Sequence, residues 1–189
     1  MIKIAMVGDI GSGKSHIAKL FGHPVFNADR EVANIYKKNK NCFKRLKKNL
    51  PKYFSVFPAN KIQIIKAIED SEKNLEKITK IIHPEVRKKL SFFLKRNKKR
   101  RAIILDIPLL LENKLNQKSD IIVFVQSKKS EIVKRLKKRD NFNLNLYKRF
   151  KKMQLPLSYK KKKANHIVKN NFTNKLVKIS VKKILKEII

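Results

Sequence analysis

Two kinds of apolar pattern divide the chain. Short, mostly apolar runs at Ile2-Lys3-Ile4-Ala5-Met6-Val7, Ala102-Ile103-Ile104-Leu105-Asp106 and Asp120-Ile121-Ile122-Val123-Phe124-Val125 predict buried strands, as in a parallel sheet. Val25-Phe26 and His166-Ile167-Val168 predict two shorter strands. Between them, helical spacing predicts helices over Lys14 to Phe21, Arg30 to Lys38, Lys128 to Arg139 and Asn174 to Ile189, with Gly22-His23-Pro24 ending the first. In the terminal helix Leu176, Val177, Val181, Ile184, Leu185 and Ile188 are expected to face inward. A polar segment free of glycine runs up to Gln154. Residues 41 to 97 carry no strand signal: Ile62, Ile65, Ile68 and then Leu75, Ile78, Ile81, Ile82 mark amphipathic helices, with breaks near Pro51 and Pro58 and a turn at His83-Pro84. The whole reads as α/β, with a helical insertion between two sheet strands.

Length and composition narrow this picture. At 189 residues and 42% hydrophobic content, one compact domain with its own core is expected. The single cysteine, Cys42, rules out an intramolecular disulfide and a four-cysteine zinc site, and fits a reducing cytoplasm. The N-terminal apolar run is too short for a signal peptide, and no apolar stretch reaches membrane-spanning length, so a cytoplasmic protein with no membrane partner is expected. The charge is extreme, with 49 Lys plus Arg against 14 Asp plus Glu and a formal net of +35. Such a field attracts polyanions of many kinds without specifying one. It is spread along the whole chain, and aromatic residues do not interleave the basic runs as stacking platforms would require, so no specific nucleic-acid partner is expected.

The chemistry is carried by Gly8-Asp9-Ile10-Gly11-Ser12-Gly13-Lys14-Ser15, which follows the first strand and opens the first helix. It matches the phosphate-loop pattern G-x-x-x-x-G-K-[ST]. Glycine lets the backbone wrap an anion and aim successive N–H groups at it, while the helix contributes its positive end. Three of the chain's four glycines are spent here. Lys14 is placed to reach the terminal phosphates of ATP, and Ser15 to ligate an accompanying Mg²⁺. An ordinary tight βα turn is the competing interpretation of the same residues.

Other candidates follow from position. Asp29 comes just after the second strand, at the carboxyl end of the sheet, where it is either a general base or the N-cap of the next helix. Asp106 ends a strand and is a candidate Mg²⁺ or water ligand facing Ser15. Arg135, Arg139 and Arg149 are candidate phosphate clamps or members of a solvated basic face. His83 is either a substrate contact or a turn residue.

Several of these segments together resemble the dephospho-CoA kinase family, along nearly the whole chain. The resemblance rests on Gly11-Ser12-Gly13-Lys14-Ser15, on Val25-Phe26-Asn27-Ala28-Asp29 against the family's D-A-D stretch, on Ile82-His83-Pro84 against its H-P turn, and on Asp106-Ile107-Pro108-Leu109-Leu110-Leu111-Glu112 against its D-x-P-L-L-x-E. Arg135 through Arg139-Asp140 to Gln154, and Ala164 through Asn170, fit the later pattern in order and spacing. It implies a three-layer P-loop NTPase fold with a parallel sheet of the nucleotide-kinase type: core residues 1–57, 99–138 and 156–189, a helical CoA-binding insertion near 58–98, and a lid near 139–155. It also implies a monomer or small homo-oligomer that transfers phosphate from ATP to the 3′-hydroxyl of dephospho-CoA. Lys14 and Asp29 would be catalytic. Gly8 through His16 with Arg135 and Arg139 would bind ATP, Arg149 would belong to the lid, and Asp29, His83, Pro108 and Leu109 would contact the acceptor. The sequence departs from the family at Asn27, where the first Asp of D-A-D stands, at His16 (Thr), Ala33 (a basic residue), Asn165 (Asp) and Phe172 (Gly).

Two rival functions stay open at this level. A kinase for another small hydroxyl or nucleotide acceptor would share the loop, and a basic nucleic-acid-binding protein would use the ATP site secondarily. A GTPase is disfavoured, because Asn113-Lys114-Leu115-Asn116 lacks the final Asp of N-K-x-D and no D-x-x-G segment exists.

Overall fold

The computed structural model describes residues 1–138 and 142–189. They form two compact units, one of residues 1–27 and 97–189, the other of residues 28–96.

The first unit is built on five parallel strands, β1 (Ile2–Gly8), β2 (Val25–Asn27), β3 (Ala102–Asp106), β4 (Ile121–Gln126) and β5 (His166–Lys169). Their order across the sheet is β2-β3-β1-β4-β5. β1 is therefore central, with Ile4 paired to Ile104 on one side and to Ile121 on the other. This explains its apolar run, broken only at Lys3: both edges are hydrogen-bonded and both faces are covered. Residues of one parity, Ile4, Met6, Val123 and Val125, pack against Ile17, Ala18 and Phe21 at and just beyond α1 (Lys14–Leu20) and against Val177, Val181 and Ile184 of α9 (Asn174–Ile188). The opposite parity, Val7, Ile122 and Phe124, packs against Leu111 and Ala164. Each such fully buried Ile, Val or Phe contributes about 1.5–3 kcal/mol, so the two-sided core dominates the unit's stability. Leu176 is the exception to the expected inward face of α9, at 55% exposure. A buried stripe one residue wide every turn already seals that face at Val177, Val181 and Ile184, and Leu176 falls beside it.

Between β4 and β5 the described residues form three helices, α6 (Lys129–Lys137), α7 (Leu144–Lys152) and α8 (Leu157–Lys162). α7 occupies part of the polar stretch that precedes Gln154. Asn143 starts it by accepting the Leu146 N–H at 3.0 Å.

The second unit contains α2 (Ala28–Lys38), α3 (Lys40–Asn49), α4 (Lys61–Asp70) and α5 (Glu72–Arg96). α2, α3 and α4 each pack on α5. The unit begins at Ala28, well before the insertion boundary expected near residue 58, because Ile35 of α2 and Cys42, Phe43 and Leu46 of α3 are buried among these helices. Asn39 caps α3 by accepting the Cys42 N–H, and Asn60 with Gln63 forms a reciprocal capping box on α4.

The turn expected at His83-Pro84 is absent. Both residues lie inside α5, a 25-residue helix. Proline in a helix interior forfeits one backbone hydrogen bond and costs about 3 kcal/mol. Ile78, Ile81 and Ile82, all buried just before it, anchor the helix through that defect.

Candidate active site

The strand-to-helix connection between β1 and α1 is a tight anion cradle. Gly8 has φ 144°, and a Cβ there would come within 2.6 Å of the Val125 carbonyl oxygen. Gly13, the N-cap of α1, has φ 91° and ψ 16°, and a Cβ there would lie 2.4 Å from Asn170 Nδ2. Glycine is thus required twice over, by backbone conformation and by close approach. The Ser12 N–H bonds to the Asp9 carbonyl at 3.2 Å, and the Ile10 N–H to Asp9 Oδ1 at 2.7 Å. The Ser12 carbonyl accepts from Ser127 Oγ at 3.0 Å and from Asn170 Nδ2 at 2.8 Å, which fixes the loop to the ends of β4 and β5. Ser12 Oγ is buried without a hydrogen-bond partner among the described residues.

Lys14 folds back over the loop, its Nζ donating to the Asp9 carbonyl at 2.6 Å and lying 3.4 Å from the Gly8 carbonyl. Asp9, itself buried, also pairs with Lys151 Nζ of α7 at 2.5 Å. Two ammonium groups therefore converge on the loop residue Asp9. Lys151 was not legible as a site residue, since nothing in a lysine-rich segment singles it out. Ser15 is exposed on the first turn of α1. His16 Nε2 lies 2.8 Å from Asn174 Oδ1, so this side chain is engaged with the start of α9.

Arg135, on the last turn of α6, sits with its guanidinium carbon 4.4 Å from the centroid of the Phe172 ring. That ring would come within 3.6 Å of a Cβ placed on Gly13. Arg149 is half-buried on α7, and Arg139 lies outside the described residues.

The β2–β3 side of the sheet presents a second polar pair. Asp106, 3% exposed at the end of β3, accepts a hydrogen bond from Asn27 Nδ2 at 2.5 Å, and the two residues face each other in the strand register. The segment after β3 turns sharply. Pro108 is exposed, and Leu109 adopts φ 54°, a conformation uncommon for a bulky side chain. Glu112 closes that segment. It binds Lys160 Nζ at 2.7 Å and accepts the Leu155 N–H at 3.0 Å. Burial pushes its carboxyl up, but the Lys160 bond, the two backbone N–H bonds and the Lys160 charge outweigh this and hold it below the usual carboxylate range.

In the second unit, Asp29 is exposed on the first turn of α2, which begins one residue before it, so Asp29 is not an N-cap. Its charge there is favourable to the helix dipole. His83 is exposed mid-helix. Partial desolvation and then the nearby Arg87 charge pull its pKa below the ordinary imidazole value.

No group of three or more His, Cys, Asp or Glu residues among those described could cage a metal. Mg²⁺ does not need one. It keeps several waters and takes one or two protein oxygens beside substrate phosphates, and the Ser15 hydroxyl and Asp106 carboxylate are oxygen donors of the kind it selects.

A phosphate cradle at the carboxyl end of a parallel sheet ordered β2-β3-β1-β4-β5 defines a P-loop kinase. The profile of the dephospho-CoA kinase family matches residues 2–175. Dephospho-CoA kinase of Wolbachia pipientis wMel is 32% identical over 189 residues, covering 96% of this chain and 95% of its own. A crystal structure from Thermus thermophilus superposes with a TM-score of 0.80 at 26% identity, over 100% of this chain and 98% of the other. Dephospho-CoA kinase of Campylobacter jejuni shares the fold, with a TM-score of 0.67 at 20% identity over 98% and 96% of the two chains. The chain belongs to the dephospho-CoA kinase family.

Proposed function

We propose that this kinase transfers the γ-phosphoryl group of ATP to the 3′-hydroxyl of dephospho-CoA, giving coenzyme A and ADP, with Lys14 and Asp29 as its catalytic residues. The single observation that carries this reading is the Gly8–Ser15 cradle with Lys14 folded onto it, in a chain of this family. The loop N–H groups and the α1 N-terminus bind the β- and γ-phosphates, and Lys14 swings from the Asp9 carbonyl to the transferring group. There it offsets charge that builds on the equatorial oxygens. Asp29, exposed on the first turn of α2, accepts the proton of the acceptor hydroxyl.

Ser15 and Asp106 would hold Mg²⁺, which when bound neutralises phosphate charge. Arg135 and Arg149, together with Arg139, clamp phosphates. Residues 139–155 act as a lid, to which the Lys151–Asp9 contact already ties the loop. Pro108, Leu109 and His83 contact the acceptor, and residues 58–98 supply the main acceptor-binding surface. The enzyme works in the cytoplasm as a monomer or small homo-oligomer, and its positive field recruits no specific nucleic acid.

The test is ADP formation by the purified protein with dephospho-CoA, shikimate, nucleosides and nucleoside monophosphates offered in parallel as acceptors. Turnover confined to dephospho-CoA is expected. Faster turnover with any of the others would reassign the acceptor.

A further inference from the structure

We propose that Phe172 is a positioning residue for ATP binding, acting through Arg135. The Phe172 ring forms a shelf at the mouth of the phosphate loop and holds the Arg135 guanidinium there before nucleotide arrives.

Three observations converge on this residue. First, Phe172 has φ 63°, in the left-handed region that an aromatic side chain rarely enters, so the surroundings over-determine a conformation the residue itself resists. Second, those surroundings are the nucleotide loop itself. The Phe172 N–H bonds to Asn170 Oδ1 at 2.9 Å, and the buried Asn170 side chain bonds in turn to the Ser12 carbonyl at 2.8 Å. The ring edge stands at van der Waals distance from the Gly13 position. Third, the ring carries the Arg135 guanidinium at 4.4 Å, and among the described residues no carboxylate forms an ion pair with Arg135.

The consequence is physical. Arginine has many rotamers to lose when it binds a phosphate, and a planar guanidinium resting on a ring has already lost most of them. An aromatic face attracts the cation without neutralising it, so Arg135 keeps its full charge and its donors for an incoming phosphate. A carboxylate in the same place would hold the arginine harder and then compete with ATP.

The inference rests on the ATP-dependent kinase reading and is tested by binding, apart from turnover. The chain contains no tryptophan, so Phe172→Trp places a lone indole on the shelf. Titration with ATP is expected to change its emission saturably, while dephospho-CoA alone leaves it unchanged. By calorimetry, Phe172→Leu should weaken ATP binding about two- to fivefold, the range of an exposed cation–π contact, with KM for dephospho-CoA unaltered and Phe172→Tyr restoring the affinity. Phe172→Gly removes ring and backbone strain together, so it should lose ATP affinity while melting no lower than the parent. Arg135→Leu combined with Phe172→Leu should bind ATP no worse than Arg135→Leu alone. Wild-type ATP affinity in Phe172→Leu, additive losses in the double variant, or failure of Phe172→Tyr to restore binding would each overturn the proposal. Failure of the parent to phosphorylate dephospho-CoA would instead strike the functional reading, with these ATP titrations still deciding the role of Phe172.

Discussion

Asn27 Nδ2 donates to Asp106 Oδ2 across the β2–β3 register, so the residue that replaces the first carboxylate of the resembled D-A-D stretch is a hydrogen-bond partner for the buried acid opposite. A carboxylate at position 27 would put two like charges within hydrogen-bond distance, and one of them would hold its proton to higher pH. Asn27→Asp is therefore expected to change kcat by less than about tenfold at neutral pH while adding a second ionisation above the usual carboxylate range to the acid limb of the pH–rate profile. A profile unchanged from the parent would show that Asp106 does not sense its neighbour.

Asp29 offers a sharper test. If it takes the acceptor proton, Asp29→Asn should lower kcat by roughly 10²–10⁴-fold with ATP affinity nearly unchanged. Its position on the first turn of α2 gives it a second, smaller task against the helix dipole, about 0.3–1 kcal/mol. A loss of melting temperature with kcat intact would assign it that task alone and turn attention to Asp9 or Asp106.

Lys14→Ala removes the cation that meets the transferring group. Activity should fall by about 10²–10³-fold or more, since that is the cost of losing one preorganised contact to developing charge. The fold should survive, because Lys14 is only half-buried and its bonds to the Gly8 and Asp9 carbonyls tie the loop, not the core. Circular dichroism and a coupled ADP assay on the same sample separate the two effects.

Much of this was legible along the chain because the determining signals are local. The buried strands, the cradle and the α/β alternation rest on runs of a few residues, and Gly8 and Gly13 announce their backbone conformations by identity. What stayed hidden joins residues far apart: Lys151 meets Asp9 across 142 positions and Asn170 meets Ser12 across 158. In a chain with a lysine or arginine roughly every fourth residue, no pattern marks which ammonium is placed. His83-Pro84 misled because proline's local preference yields to the buried Ile78, Ile81 and Ile82 beside it. Phe172 did leave a trace, since it occupies a position where glycine would suit the left-handed backbone, but only the structure sets the Arg135 guanidinium on its ring.

The Glu112–Lys160 pair supplies the last prediction, one of stability and pH. Both side chains are at least nine-tenths buried, 2.7 Å apart, and Glu112 also accepts the Leu155 N–H, so the pair pins the turn after β3 to the segment leading into α8. Glu112→Leu would strand a buried ammonium, at a cost of about 3–5 kcal/mol, whereas replacing both partners with apolar residues should cost much less. The sign of the pH dependence follows from the lowered carboxyl pKa. Above the unfolded value of 4.5 both states are ionised and the pair's contribution is complete. As pH falls below 4.5 the unfolded chain binds its proton first, and the stabilisation drains away until the folded carboxyl titrates as well. Urea unfolding should therefore show a stability decline below about pH 4.5 that is shallower in the doubly substituted protein than in the parent. Parallel declines would mean that other carboxylates carry the acid sensitivity and that this pair contributes packing alone.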